Sequence, residues 1–385
     1  MSRSWDVFCR VVDNFGDAAV CWRLALQLAV EQRARVRLWI DVVPALQALR
    51  PEVKPGVGRQ VVAGVEVCEW TPAADLGAPA EIVVEAFGCG LPEGYVTAMA
   101  QQDWRPVWII LEYLSAEAWV TKHHGLPSPH PRLPLQRYFF FPGIVPGTGG
   151  VLCEAALEGR REAFERSPEA RNRFWQAFGF ASPPASALVV SLFGYENPAV
   201  GDFLKIWAES ANKVILAVPA NRLRAQVCAF LGKEDPGDGN ILVRGNLEVR
   251  FMPFVAQPVY DELLWACDWN FVRGEDSFVR GQWAERPLVW QIYPQHEEAH
   301  RLKLDAFFDR YSGGLEPALI EALRSLWQSW NQSSPVRPAQ LAHAWQVVGV
   351  RRDALRVHCR DWSARLRLPG DLAGNLAHFC EERLK

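Results

Sequence analysis

Two acidic side chains flank a short loop near the start of the chain, in the sequence Asp13-Asn14-Phe15-Gly16-Asp17. The loop joins a predicted strand at 7–12 to a predicted helix at 17–32, whose apolar residues recur at helical spacing. A dinucleotide site would place GxGxxG here, and the loop lacks that motif. Because carboxylates repel phosphate, they suit a cationic or proton-donating acceptor. The competing interpretation is that Asp17 only caps the helix.

A second candidate site lies at 273–278, again where a predicted strand gives way to a predicted helix. Gly274 permits close backbone approach, and Asp276 or Ser277 can cap the helix. The N–H groups of a helix start bind a diphosphate readily, and Arg273 adds a positive charge. The sequence has no DxD motif, the carboxylate pair that usually holds a metal-bound nucleotide sugar. The negative charge of the leaving group would therefore be stabilised by backbone amides, Arg273 and Tyr293. The alternative is a capped helix with a surface ion pair.

Aromatic residues follow two other predicted strands of the same half. Phe254 and Gln257 come after the strand at 247–251, and Phe193 and Tyr195 end or follow the strand at 187–193. A ring can stack on a nucleobase while an amide reads its edge. Core packing is the competing explanation for such aromatic residues.

The elements that must position these loops alternate between strand and helix. Predicted strands lie at 36–40, 61–67, 82–86, 107–111, 214–218, 269–272 and 288–293. This alternation predicts two α/β modules with mostly parallel sheets, at 1–182 and 185–368, joined by a proline-containing hinge and followed by helices. Ligands of such sheets bind at the carboxyl ends of the strands, so we expect the active site in a cleft between the modules.

Composition excludes several classes of function. The 385 residues carry a formal net charge of -3 without a long Lys or Arg run, which excludes nucleic acid as a main ligand. No segment approaches about 20 uninterrupted apolar residues, so no membrane span is predicted. The N-terminus lacks signal-peptide features, and the nine scattered cysteines include no CxxC pair. These features predict a cytoplasmic enzyme with reduced, buried thiols.

One motif points to a different chemistry. The segment His296-Glu297-Glu298-Ala299-His300 matches HExxH, in which two histidines bind zinc and the glutamate acts as a base. Here the motif follows a predicted strand and opens a helix of an α/β module, whereas the HExxH helix of a metalloprotease belongs to another architecture. We therefore interpret it as an ordinary helix start and expect no metal site.

Several segments carry a specific resemblance, in order, through nearly the whole chain. The first acidic loop followed by 21–24 resembles the start of the bacterial elongation factor P–arginine rhamnosyltransferases (the EarP family). Further similar segments lie at 111–117, 138–143, 149–150, 191–195, 273–280 and 290–295. His296 and His300 fall beside or within these family-like segments, which further weakens the zinc interpretation.

The resemblance implies an inverting glycosyltransferase of the GT-B class, with two Rossmann-like domains whose parallel sheets face across a cleft, and with no metal or other cofactor. Its donor would be dTDP-β-L-rhamnose, and its acceptor one arginine of elongation factor P, which it would activate. The first domain would receive the protein acceptor and the second the nucleotide sugar. The C-terminal helix at 371–385 would pack back on the first domain.

The resemblance also implies a role for each candidate residue. A guanidinium stays protonated to beyond about pH 12, so its alkylation needs a group that takes or shares a proton. We expect Asp17 to be the general base and Asp13 to orient the guanidinium, although this division between the two remains open. Glu275 would orient the guanidinium or the sugar. Other substrate contacts are expected from Asn14, Phe15 and Gly16; from Phe193, Tyr195, Phe254 and Gln257 at the thymidine; and from Arg273, Asp276, Ser277 and Tyr293 at the ribose and diphosphate.

Three alternatives stay open at this stage. A GT-B enzyme could use another nucleotide sugar and a small-molecule or lipid acceptor. This alternative predicts an apolar or basic surface on the first domain. A binding protein for elongation factor P could have kept the fold without the activity, and it would tolerate the loss of Asp17. A zinc protease would contain stoichiometric metal.

Overall fold

The computed structural model describes residues 2–13, 15–294, 299–332 and 336–384. The chain divides into two compact units, Met1–Ala155 with Arg365–Lys385, and Ala156–Ala364. The division falls earlier than the predicted hinge at 182–184. Residues 157–177 form two helices that pack on a helix of the second unit, which is why they belong to it.

The first unit is built on one eight-stranded sheet. Its strands are β1 (Ser4–Cys9), β2 (Arg35–Ile40), β3 (Arg59–Val62), β4 (Val65–Glu69), β5 (Ile82–Ala86), β6 (Val107–Leu111), β7 (Pro127–Pro129) and β8 (Gln136–Phe140). They lie in the order β3-β4-β2-β1-β5-β6-β8-β7. All neighbours are parallel except the two edge pairs, β3 with β4 and β7 with β8. The six parallel strands follow the Rossmann order, and the direction of winding reverses between β1 and β5.

The helices of the first unit before residue 155 are α1 (Gly16–Val30), α2 (Val43–Leu49), α3 (Glu93–Ala100) and the single turn α4 (Val120–His123). Most of α1 is buried, which explains its strongly apolar sequence. Its start is fixed by the loop after β1, where the amide of Gly16 donates a hydrogen bond to the carbonyl of Asp13 at 2.7 Å. The helix therefore determines where the acidic loop lies.

The second unit repeats this design with a six-stranded sheet. Its strands are β9 (Leu188–Leu192), β10 (Val214–Pro219), β11 (Ile241–Arg244), β12 (Leu247–Met252), β13 (Trp269–Arg273) and β14 (Leu288–Gln291). Their order is β11-β12-β10-β9-β13-β14, and only β11 runs antiparallel to its neighbour. The winding again reverses beside the first strand, between β9 and β13.

Ten helices of the described chain surround the second sheet or follow it. They are α5 (Leu157–Arg166), α6 (Pro168–Ala177), α7 (Val200–Ala208), α8 (Arg224–Leu231), α9 (Gln257–Ala266), α10 (Asp276–Trp283), α11 (Ala299–Tyr311), α12 (Pro317–Asn331), α13 (Pro338–Val350) and α14 (Arg352–Leu366). Pro168 separates α5 from α6, and both helices pack on α9. No helix among the described residues is long and apolar enough to cross a membrane.

The last helix, α15 (Leu372–Glu381), lies against α1 of the first unit. Asp371 caps it by accepting the amide of Gly374 at 2.9 Å, and the same carboxylate accepts a hydrogen bond from Gln27 of α1 at 2.8 Å. The amide of Leu372 donates to the carbonyl of Val151 at 3.1 Å. These bonds join the C-terminal segment to the first unit.

The nine cysteines are free; eight are buried and Cys153 is half-buried. The pKa of Cys21 lies well above its usual value, because of its hydrogen bond with Cys9 and because it is buried. Burial raises the pKa of Cys68 to about 12. Thiols in such surroundings remain protonated at neutral pH and are poor nucleophiles.

A buried ion pair joins β1 to β2 below the acidic loop. The side chain of Asp6 is fully buried, and both of its oxygens accept hydrogen bonds from Arg37, at 2.5 and 2.6 Å. The indole of Trp39 and the amide of Ala80 also donate to it, at 3.1 and 3.0 Å, as does the hydroxyl of Tyr95. A buried carboxylate needs such complete pairing to be tolerated.

We predict that Asp6→Asn lowers the free energy of unfolding of the first unit by about 3 kcal/mol, because it leaves the half-buried charge of Arg37 without its partner. Urea denaturation followed by tryptophan fluorescence measures the change. Glu66→Gln is the matched control, because its ion pair with Arg59 is at the surface and should contribute at most about 1 kcal/mol. Equal effects of the two variants would contradict the prediction.

Candidate active site

The acidic loop lies at the carboxyl end of β1, beside the point where the winding of the first sheet reverses. In open α/β sheets this crevice is the usual place for a ligand, because adjacent loops diverge there. Asp13, Phe15 and Gly16 are half-buried, and Asp17 is only 2% exposed. Asn14, also predicted to contact substrate, lies outside the described residues.

The two oxygens of Asp17 have different surroundings. Oδ2 accepts hydrogen bonds from the backbone amides of Val12 and Asp13, at 2.8 and 2.9 Å. Oδ1 accepts a hydrogen bond from the hydroxyl of Tyr113 at 3.1 Å. The backbone bonds go to the loop before the helix, and the N-cap position of α1 is Phe15. The interpretation of Asp17 as a helix cap is therefore wrong.

Gly16 allows the carboxylate of Asp13 to approach the start of α1. A Cβ atom at position 16 would lie 2.9 Å from Oδ2 of Asp13, too close for an ordinary contact. The loop thus holds one carboxylate buried against its own backbone and a second, more accessible one against the glycine. This arrangement suits a base and an orienting group for one cationic ligand.

Sequence reasoning missed Tyr113, which contacts Asp17, and Phe87, which stacks on Tyr113. Tyr113 follows β6 and Phe87 follows β5, and their rings stack with centroids 4.2 Å apart and planes 9° from parallel. The signal for Tyr113 was its place two residues after a predicted strand, within one of the family-like segments. Phe87 gave no such signal, because a phenylalanine before a glycine is not typical of a site.

The candidate residues of the second unit follow its strands in the same way. Phe193 and Tyr195 follow β9, and Arg273 ends β13. The guanidinium carbon of Arg273 lies 4.5 Å from the ring centroid of Phe193 and 4.7 Å from that of Tyr195. Such cation–π contacts hold the arginine at the reversal point of the sheet.

The start of α10 adjoins this arginine. The N-cap position of α10 is the half-buried Glu275, whose side chain makes no capping hydrogen bond. Asp276 and Ser277, one of which was predicted to cap the helix, are the first two residues of α10, and neither occupies its N-cap position. The hydroxyl of Ser277 exchanges hydrogen bonds with the backbone of Arg273, accepting its amide at 2.9 Å. Asp276 accepts a hydrogen bond from Gln257 at 3.4 Å.

A tight approach of two loops completes this edge of the second sheet. The side-chain oxygen of Gln291 accepts the amide of Tyr195 at 2.8 Å, and it would lie 2.8 Å from a Cβ at Gly194. The rings of Tyr195 and Tyr293 meet edge to face at 5.6 Å, and Tyr293 is 39% exposed. The half-buried Phe254 lies in the loop between β12 and α9. The structure therefore brings Tyr195, Arg273 and Tyr293 together, and joins Gln257 to Asp276.

Tyr260 of α9 is a neighbour that sequence reasoning also missed. Its ring lies 5.4 Å from that of Phe193, and burial raises its pKa above the usual range. It therefore remains a neutral phenol and supports the aromatic wall of the site.

The HExxH motif falls largely on residues that the structure does not describe, since His296 and Glu297 lie in the gap at 295–298. His300 belongs to α11. Within the described ranges no three His, Cys, Asp or Glu side chains form a group that could hold a metal ion. A groove of about 890 Å³ lies at the opposite, amino-terminal edge of the second sheet and contains none of the predicted site residues.

Comparison with known proteins agrees with this geometry. The profile of a family described as Elongation-Factor P (EF-P) rhamnosyltransferase EarP matches residues 5–381. Two similar proteins, both named protein-arginine rhamnosyltransferase, come from Pseudomonas putida KT2440 and Pseudomonas aeruginosa PAO1. They are 45% and 43% identical to this chain, with 100% and 98% of each chain covered.

Solved structures give the same result. One described as the structural basis for EarP-mediated arginine glycosylation of translation elongation factor EF-P is 32% identical, with a TM-score of 0.70 and 99% of both chains covered. The calicheamicin glycosyltransferase CalG4 shares the fold at 14% identity and a TM-score of 0.53, covering 100% of this chain and 99% of its own. The predicted GT-B fold class is confirmed. The chain belongs to the EarP family and is a protein-arginine rhamnosyltransferase.

Proposed function

We propose that this enzyme transfers L-rhamnose from dTDP-β-L-rhamnose to one arginine of elongation factor P, in the cytoplasm and without a metal ion. The acceptor follows from the family, whose described substrate is elongation factor P. The observation that carries the proposal is the pair of carboxylates on one loop, with Asp17 buried and fixed by two backbone amides. Such a site selects a cation and can take a proton from it.

The first unit would bind the acceptor arginine. Its guanidinium is a fork of N–H donors, which two carboxylates can grip at once. Asp13 would orient the fork, and Oδ1 of Asp17 would accept the proton that leaves as the new bond forms. Glu275 would orient the guanidinium or the sugar.

The second unit would bind the donor. The side chains of Phe193, Tyr195, Phe254 and Gln257 would hold the thymidine, while Asp276, Ser277 and Tyr293 would contact the ribose and diphosphate. Arg273, held between two rings, would neutralise the charge that develops on the diphosphate. With this positive charge and the helix amides available, the reaction would need no metal ion.

The reaction would be a single displacement. A guanidinium nitrogen attacks C1 of the sugar, the bond from C1 to the diphosphate oxygen breaks, and the proton passes to Asp17. An in-line attack converts the β-linked donor into an α-linked product. No covalent bond between sugar and enzyme is needed.

We predict that Asp17→Asn lowers kcat at least about 100-fold, because the variant cannot accept the proton. An asparagine oxygen can still accept the two loop amides, so the backbone should remain in place. Intact-mass analysis of elongation factor P, incubated with enzyme and dTDP-β-L-rhamnose in the presence of EDTA, measures the transfer.

Asp103→Asn, at an exposed site of the same unit, is the control and should keep the wild-type rate. Full activity of Asp17→Asn would contradict the role of Asp17. A β-linked product by NMR would contradict the displacement, and donor binding without transfer would indicate a different acceptor.

We predict that Arg273→Ala weakens binding of dTDP about 10- to 100-fold, because it removes charge-assisted hydrogen bonds to the diphosphate. Isothermal titration calorimetry measures the Kd. Arg244→Ala is the matched control, because Arg244 also lies over a ring, at 4.3 Å from the centroid of Phe230, but on the edge strand β11. An unchanged Kd for Arg273→Ala would contradict the proposed donor site.

A further inference from the structure

The proposed base has one oxygen that cannot easily take part in chemistry. Oδ2 of Asp17 already accepts two backbone amides. Rotation of the carboxylate would break both of those hydrogen bonds. Oδ1 is therefore the oxygen that would contact the acceptor. The orientation of Oδ1 therefore matters for proton transfer, and the group that contacts it is the hydroxyl of Tyr113.

Tyr113 is itself held by a ring from the neighbouring strand. The strands β5 and β6 pair in register from Ile82 with Val107 to Ala86 with Leu111. Just beyond the last pair, the amide of Phe87 donates to the carbonyl of Leu111 at 2.7 Å. The segments that follow β5 and β6 therefore leave the sheet side by side. This brings the rings of Phe87 and Tyr113 face to face.

The backbone at Phe87 lies in a conformation that its side chain disfavours. Phe87 has φ +56° and Gly88 has φ +62°, and the amide of Cys89 donates to the carbonyl of Ala86 at 3.1 Å. This is a tight turn with two left-handed central residues, which glycine or asparagine adopts readily and a bulky residue does not. In the turn between β3 and β4, the left-handed residue before a glycine is the small Ala63.

Bulky residues with left-handed backbones are uncommon, and when they occur they cluster at functional sites. At position 87 the strained turn places an aromatic ring flat against Tyr113. Glycine or asparagine would adopt the turn more readily but would provide no ring to stack on Tyr113. The stacking restricts the orientation of the Tyr113 ring, whose hydroxyl donates its hydrogen bond to Asp17.

We propose that Tyr113 is a positioning residue for the general base, and that Phe87 fixes Tyr113 through the strained turn after β5. The inference rests on the proposed role of Asp17 as proton acceptor. The phenol donates one hydrogen bond to Oδ1 and leaves the other lone pair of that oxygen to an N–H of the guanidinium. Tyr113 holds the carboxylate in the plane needed for transfer and does not itself gain or lose a proton.

The test separates positioning from binding and from folding. Tyr113→Phe removes only the hydroxyl and keeps the stacked ring, so we expect kcat to fall about 10- to 100-fold, as for the loss of one hydrogen bond to a charged group. The KM for elongation factor P, the Kd for dTDP and the melting temperature should change little. Tyr138→Phe, on β8 of the same unit, is the matched control and should keep the wild-type kcat.

Phe87 is tested through its coupling to Tyr113. We expect Phe87→Ala to lower kcat and Phe87→Tyr, which keeps a ring, to restore most of it. In Tyr113→Phe with Phe87→Ala the two losses should not multiply, because both variants act on the same hydrogen bond. Multiplying losses would show that Phe87 acts by another route and would overturn its assigned role.

Other outcomes are equally decisive. If Asp17→Asn is inactive while Tyr113→Phe retains the wild-type kcat, the positioning role is wrong and the proposed function stands. If Asp17→Asn retains activity, the base assignment fails and the positioning role fails with it. A rise in the KM for elongation factor P at unchanged kcat would show that Tyr113 contacts the acceptor instead. A crystal structure of Tyr113→Phe in which Oδ2 of Asp17 keeps its two amides while Oδ1 tilts out of the wild-type carboxylate plane would support the proposal.

Discussion

The order of parallel strands constrains the location of chemistry in both units. In each sheet the first strand lies at the centre, and the winding reverses beside it, between β1 and β5 and between β9 and β13. Loops on the two sides of this point diverge and leave backbone and side chains accessible. The acidic loop lies at one such point and Arg273 at the other. The strand order alone therefore determines the sheet edge at which the candidate site residues of each unit lie.

A buried carboxylate at such a point has an energetic cost that the loop must offset. Two backbone amides and a phenol donate hydrogen bonds to Asp17 and replace the water that burial excludes. Two local features accompany this arrangement: Gly16 lacks a side chain that would displace Asp13, and Phe87 has a left-handed backbone that its ring disfavours. Both features suggest that geometry at the loop is more important there than local stability.

The sequence predicted the alternating elements, the fold class and the residues that follow each strand, because these depend on local patterns. It did not predict the hairpin of β3 and β4, since the apolar segment at 61–67 hides a turn at Ala63 and Gly64. It suggested capping roles for Asp17 and Ser277, whose hydrogen bonds go instead to residues that precede the helices. The contact of Tyr113 with Asp17 spans 96 positions and depends on which strands are neighbours, which no local pattern reveals.

The two units share one strand order and differ in the charged side chains that lie at the reversal point. At the reversal point of the first sheet lie two carboxylates, whereas at that of the second an arginine and a helix start lie beside the carboxylates of Glu275 and Asp276. A carboxylate attracts a cationic group and an arginine attracts an anionic one, so the two edges offer different charges to a ligand. A chain with a net charge of only -3 can therefore contain two strongly charged sites. The chemistry available at each sheet edge then depends on the side chains of its loops more than on the fold, which the two units share.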